Sequence, residues 1–568
     1  MSEPTRPIHQ PRVDPDGSLV AHTVATPTSF KVRARMTVGS RKVIPVIFVP
    51  GIMGSNLRVR RDSQPGKNAE LKPGEAAWRP PNGALDGYME ARKWSSRNPA
   101  QRQRILDLGI LEVDDDGDLD YPACALDDSV MRERGWGEVH AASYGKLLSG
   151  LQRHLDKTYW RSPQGVYEVR PSWRQVMQFD PARWGVRNVE RVTERELEKY
   201  AGYQYPVYAF GYNWLESCEM SAVQLRHRID RIKKFWIDRK HECRQVILVT
   251  HSMGGLVARA CARLSPPGDG SAPDIAGIVH GVMPALGAPV AYRRIACGTE
   301  GGHFTNGLTD NIKASKFAEI AGVTSAETTP VMALSSGVLQ LLPNHLYPAP
   351  WLSIKTVRTV NKNDEIRDLV SLPDGNPYDF YRDMQSWYRM IDPSLADPAG
   401  KYGKAKGGVR QAILNSIDQA ERFHTQILTV RSGSTDGATP YYHKNSYSFH
   451  GADRSLKTYG QICWIAREAR LSPIALTRGS VRSGRLSAVR EDGSREVEID
   501  RGLKLRFVVR PQDAPGDETV PVQSGAGPQA HVRQVFSADG FRHQESFDDQ
   551  DMLVLTRHLI VKIVQDVQ

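Results

Sequence analysis

The stretch "QVILVTHSMGGLVARACARL", residues 245–264, decides how the chain folds. Val246 to Val249 form a short apolar run of the kind found in a strand buried on both faces. Ser252 follows, flanked by His251 and the pair Gly254–Gly255, and Leu256, Val257, Ala260 and Leu264 then recur at helical spacing. The pattern places a serine on a sharp bend between a strand and a helix. Such a nucleophile elbow needs small residues two before and two after the serine, because its backbone is strained and its side chain must clear both elements. Thr250 and Gly254 occupy those places, and threonine is the departure, since glycine is usual at the first. The purely structural alternative for Ser252 is a helix N-cap.

A serine hydroxyl is a weak nucleophile and needs a base to take its proton and an acid to orient that base. After such an elbow the chain order is serine, then Asp or Glu, then His, so both partners should lie downstream, each beyond a late strand. "LKLRFVVRPQDAPGDETVP" (503–521) offers Asp517 after a Gly516 bend, with Asp513 and Glu518 as rival acids. "VRQVFSADGFRHQESFDD" (532–549) offers His543, with a closing helix expected over Asp551 to Val567. His424, His443, His450 and His558 compete with it. His558 falls in the terminal helical pattern and the other three in expected cap segments, so position favours His543. An oxyanion also needs donors. Those expected are the N–H of Met253, directly after the serine, and that of Ile52 in "FVPGIMGSN" (48–56), where Pro50–Gly51 turns the chain at the end of an early strand.

The strand-like runs 43–49, 205–214, 245–252, 275–285, 352–357, 425–433 and 503–511 are partly separated by helical patterns at Tyr144 to Leu155, Met220 to Arg239 and Leu256 to Leu264. Short buried strands alternating with amphipathic helices predict an α/β fold with a mostly parallel sheet covered on both faces. The expected organisation is a loose arm over 1–40, a core over 41–300 and 500–568 with an insertion at about 58–135, and a cap over 301–499. "LEVDDDGDLDYP" (111–122) approaches the spacing of a calcium loop, but Ala123 stands where a bidentate glutamate is required. A hairpin turn with an Asp-Gly corner and solvated acids is the expected form, and no metal or cofactor is expected.

At 568 residues the chain can bury a large core, and its 40% hydrophobic and 24% charged residues are ordinary globular values. No apolar run approaches the ~18 residues that span a bilayer. The polar, proline-rich N-terminus does not have the pattern of a secretory signal. Six cysteines without CxxC spacing argue against a zinc site and fit folding in a reducing cytoplasm. The net charge of +11 favours anionic partners, but no basic stripe interleaved with aromatics marks a nucleic-acid surface.

Together, "PGIMGSNL", "FGYNW", "THSMGGLV" and "GDETVP" with a late histidine resemble the lecithin:cholesterol acyltransferase and lysosomal phospholipase A group of α/β-hydrolases. "GVMPALGAPVAYRR" (281–294) and "GFRHQESFDD" (540–549) resemble more closely the antibacterial lipase effectors of type VI secretion systems. The resemblance covers about half the chain. It implies an α/β-hydrolase fold with large inserted cap segments and Ser252, Asp517 and His543 as the triad. It further implies Ile52 and Met253 as oxyanion donors, and no cofactor. Glu518 stands where "GDGTV" has glycine, which keeps the choice of acid open. The implied activity is hydrolysis of membrane phospholipid. The implied partners are a neutralising immunity protein and a secretion spike or adaptor, with synthesis in the cytoplasm and delivery to a target cell's periplasm. Acyl transfer to an alcohol, hydrolysis of another ester, and a non-catalytic scaffold are the alternatives.

Overall fold

The computed structural model describes residues 12–13, 19–23, 34–38, 40–64, 70–80, 84–121, 124, 126–161, 166–301, 308–360, 363–431, 438–468 and 476–567. Its centre is a six-stranded sheet, β1 (Val46–Val49), β2 (Val207–Ala209), β3 (Val246–His251), β4 (Ile275–Gly281), β5 (Ser446–Gly451) and β6 (Gln534–Ala538). The spatial order is β2-β1-β3-β4-β5-β6, and every pairing is parallel. Consecutive residues of one strand feed opposite cores. Val46 and Phe48 pack into one apolar cluster and Ile47 and Val49 into the other, while Ile247 and Val249 oppose Val246 and Leu248 in the same way. Two-sided burial is why these strands read as unbroken apolar runs.

Helices cover both faces. Helix α1 (Cys218–Asp238) begins where Ser217 Oγ accepts from the Glu219 N–H at 3.2 Å. Helix α2 (Gly254–Leu264) leaves the serine bend and packs against α1. Helix α3 (Gln550–Val564) is capped by Asp549, whose carboxylate accepts from the N–H groups of Asp551 and Met552, and it closes the fold under β4. Among the described residues, no helix is long and apolar enough to cross a membrane.

A second, mixed six-stranded sheet carries much of the expected cap, in the order Asn363–Leu372, Leu352–Val360, Ile462–Arg467, Leu503–Val509, Arg495–Ile499, Arg485–Val489. Two runs read from the sequence as strands of the parallel sheet, 352–357 and 503–511, lie here instead. In Leu503–Val509 the burial alternates, with Leu505 and Phe507 inside and Lys504 and Arg506 exposed, which suits a sheet with one wet face. The run 425–433 is also different: Phe423–Ile427 continues a helix as a π turn, Thr429–Arg431 is a strand, and residues 432 and 433 lie outside the described residues.

Three further expectations need correction. The segment 301–499 is not all cap, since it supplies β5; "SYSFHG" alternates serine with aromatics and so conceals a strand that is buried throughout. The expected loose arm contains a three-stranded antiparallel sheet, Arg12–Val13, Leu19–Thr23 and Ala34–Val38. In the aspartate-rich stretch, Leu111–Val113 pairs with the distant Leu57–Val59 and makes no local hairpin. Its acids are not simply solvated either, because Asp114 is fully buried against Arg58 and Arg79. Asp114, Asp115 and Asp116 lie close enough to share one cation, but Arg58 already bonds all three.

Burial also holds several imidazoles neutral. His251, His280 and His424 are pushed down to about 3, and His154, His443 and His558 to about 4, in each case chiefly by desolvation of the charged form. The unfolded chain binds these protons below about pH 6.5 while the folded chain refuses them. Their contribution to stability is therefore complete above that pH and is lost as pH falls toward the folded values. The melting temperature is expected to fall steadily on acidification from about pH 6.5 to about pH 4. A flat calorimetric profile across that window counts against the buried-histidine account.

Candidate active site

The bend after β3 puts Ser252 at φ +52°, a left-handed conformation that a non-glycine residue adopts only under strong constraint. The constraint is close backbone packing. A Cβ on Gly254 would lie 2.4 Å from Val49 O, and one on Gly255 would lie 2.6 Å from Met283 Sδ. Thr250, the unusual residue before the bend, is buried with its hydroxyl 3.3 Å from His280 Nδ1 and 3.5 Å from Val279 O, so the threonine is accommodated without an unpaired polar group. The Ser252 N–H donates to Gly281 O at 2.9 Å and anchors the bend to the end of β4.

Three widely separated segments meet at this hydroxyl. His543 Nε2 lies 2.9 Å from Ser252 Oγ, and His543 Nδ1 lies 2.9 Å from Asp517 Oδ2. With Nδ1–H donating to the carboxylate, Nε2 is left as acceptor for the serine proton. Asp517 is fully buried, and its Oδ1 accepts from the N–H groups of Thr519 at 3.1 Å and Val520 at 2.7 Å. The backbone N–H of His543 donates to Asp517 O at 2.9 Å, locking the two loops together.

The rival groups sit elsewhere. Asp513 accepts from the N–H groups of Gly460 and Gln461. Glu518 pairs with Arg542 at 3.4 Å and lies at φ +75°, which is why glycine suits that position. His424 bonds Tyr378 and Gln340, His443 is buried just before β5, His450 is buried within β5, and His558 packs in α3 against Trp184.

The loop expected to carry an oxyanion donor is the turn after β1. Its Gly54 N–H donates to Gly51 O at 3.1 Å, Trp78 Nε1 donates to Met53 O at 2.9 Å, and the Tyr212 hydroxyl donates to Pro50 O at 3.0 Å. Ile52 borders the cleft above Ser252, and Met253 stands at the head of α2. Among the described residues, neither backbone N–H has an acceptor within the protein.

Sequence reasoning missed a second network behind the serine. Gly51 N–H donates to the Tyr144 hydroxyl at 3.2 Å, Tyr144 Oη lies 3.2 Å from His251 Nδ1, and His251 Nε2 lies 2.9 Å from His543 O. The carbonyl can only accept, so His251 carries its proton on Nε2 and receives the tyrosine hydroxyl on Nδ1. Burial keeps this imidazole neutral, and the chain of bonds ties the oxyanion turn, the bend and the histidine loop to one another. The only sequence signal was the histidine next to the serine.

These groups line a cleft of about 950 Å³. Trp78, Trp94, Phe317, Met332, Val338 and Leu341 give it a broad apolar wall drawn from both inserted regions. The volume lies at the upper end of the range for small-molecule sites.

Residues 215–342, which span α1, the bend and β4, match the PGAP1-like alpha/beta domain. The chain is also 28% identical to a chain in the crystal structure of a Tle4–Tli4 complex, covering 92% of this chain and 99% of that one with a TM-score of 0.70. It has the α/β-hydrolase fold. Phospholipase PlaB from Legionella pneumophila, 9% identical over 58% of this chain and 85% of its own, superposes with a TM-score of only 0.14. No curated protein matches the chain significantly. In this hydrolase fold the parallel sheet, the bend at Ser252 and the closing helix occupy the positions expected of an elbow at the carboxyl edge of the sheet.

Tyr144→Phe keeps the ring but leaves the Gly51 N–H and His251 Nδ1 without their buried partner. The expected loss of stability is about 1–3 kcal/mol, accompanied by slower labelling of Ser252 by a fluorophosphonate. An unchanged denaturation midpoint together with an unchanged labelling rate rules out a positioning role for this network.

Proposed function

We propose that this chain is a serine esterase of the lipase and phospholipase type, cleaving acyl ester bonds of membrane glycerophospholipids. The observation that carries the reading is His543, held between Asp517 and Ser252 at 2.9 Å on each side on the floor of an apolar cleft. In the proposed reaction His543 Nε2 takes the Ser252 proton as Oγ attacks the ester carbonyl. The negative oxygen that forms is received by the N–H groups of Ile52 and Met253. Collapse expels the alcohol, which His543 protonates, and leaves an acyl group on Ser252. Water then repeats the sequence through the same base and releases the fatty acid. Asp517 remains ionised and stabilises the imidazolium.

The likeness to a chain of the Tle4–Tli4 complex, taken with the type VI effector motifs in the sequence, supports a wider proposal. On that proposal the protein is an antibacterial effector. It is made in the cytoplasm, held inactive by a cognate immunity protein, and carried by a spike or adaptor to the periplasm of a target cell.

Ser252→Ala is expected to abolish fatty-acid release from phospholipid vesicles while leaving the melting temperature nearly unchanged. Asp517→Asn and His543→Ala should each reduce kcat by about three orders of magnitude or more, since such groups act as a unit. Glu518→Gln should leave turnover almost intact. Persistent lipid hydrolysis by the Ser252 variant removes the proposal, and an inactive Glu518 variant beside an active Asp517 variant reassigns the acid.

A further inference from the structure

Basic side chains line the cleft as well as apolar ones, and none of them has a role in the acyl-transfer steps. Of the basic residues lining it, Arg294 is paired with Glu300 at 2.8 Å, Arg542 with Glu518 at 3.4 Å, and Arg79 with the buried Asp114. Arg454 and Lys457 also line the cleft, are exposed, and have no acidic partner among the described residues. Both lie on the strand Asp453–Thr458.

That strand is fixed to the catalytic loops. It pairs antiparallel with Ala514–Gly516, the segment that runs directly into Asp517, with Lys457 opposite Pro515 and Asp453 opposite Gly516. Asp453 Oδ2 also accepts from the Gly540 N–H at 3.1 Å, three residues before His543. Lys457 is therefore held opposite the segment that leads into Asp517, and Arg454 lies in the irregular part of the same pairing, next to Asp453; the apolar wall includes Trp78, Phe317 and Met332 from the inserted segments.

An ester bound at Ser252 carries one substituent on its carbonyl carbon and another on its alkoxy oxygen. The apolar wall suits a hydrocarbon chain, whose burial stabilises by about 0.8 kcal/mol per methylene. We infer that Arg454 and Lys457 form a subsite for the phosphate diester on the alcohol side of the substrate, and so select phosphorylated glycerides over neutral ones. Paired Arg and Lys donors match phosphate oxygens in charge and in hydrogen-bonding capacity. The inference rests on the proposed lipid esterase reading and specifies which half of the substrate lies on which wall.

The test compares the unaltered protein with Arg454→Gln/Lys457→Gln on a dihexanoyl glycerophospholipid presented as monomers, on a neutral short-chain ester, and on long-chain phospholipid vesicles. The expected result is a rise of about tenfold or more in KM for the monomeric phospholipid, with kcat/KM for the neutral ester unchanged. Glycerol 3-phosphate should inhibit neutral-ester hydrolysis by the unaltered protein and lose that effect on the double variant. Equal losses on both soluble substrates, no change on the monomeric phospholipid, or a defect confined to vesicles each overturn the subsite; the last assigns the cations to the membrane surface. Failure of the esterase reading has a different signature, because phospholipid turnover would then be absent or independent of Ser252 in the unaltered protein.

Discussion

Everything in this molecule that bears on chemistry depends on the contact of α2 with the turn after β1. Gly254 presses on the carbonyls of Val49 and Pro50 so closely that a methyl group could not fit, and the same approach forces Ser252 into the left-handed region. Gly51 answers from the other side, since a Cβ there would lie 2.7 Å from His251 Nδ1 and 2.9 Å from Ser252 Cβ. Neither strand nor helix alone dictates the bend. It exists because two backbones meet without side chains between them, and the unfavourable φ is held by the surrounding packing. The bend carries a largely buried hydroxyl to the lining of the cleft.

The remaining partners arrive by long-range closure. Asp517 and His543 are brought in from the far end of the chain, and the backbone bond from His543 N to Asp517 O fixes their loops before the side chains are considered. The pair Arg542–Glu518 adds a further tie between the same loops, and the bond from Gly540 to Asp453 ties the histidine loop to the strand Asp453–Thr458. Hydrogen bonds and one ion pair thus link the four segments that meet around Ser252.

The central sheet was legible wherever both faces of a strand are dry, as in Val46–Val49 and Val246–His251, because burial on two faces at once demands a continuous apolar run. Ser446–Gly451 escaped because Ser446 and Ser448 are buried among aromatics, so the run has no continuous apolar character to mark it. Leu503–Val509 was recognised as a strand but assigned to the wrong sheet, since strand propensity does not reveal a partner. Turn residues and chain order pointed to the bend and to Asp517 and His543, the side chains that meet Ser252 in the structure. They did not point to Tyr144: its place in a helix was visible, but nothing local indicates that its hydroxyl reaches Gly51 and His251 across more than ninety residues.

The position of β5 has an architectural consequence. This strand returns from the middle of the second lobe to stand between β4 and β6, and the chain then leaves again to finish the mixed sheet before coming back with β6. The two lobes are thus sewn together by repeated crossings instead of being joined at one hinge. No single excision yields a minimal hydrolase, because cutting out the upper lobe as one block unzips the lower one at its fifth strand. The loops between crossings are the places where length can change without pulling a thread from the sheet.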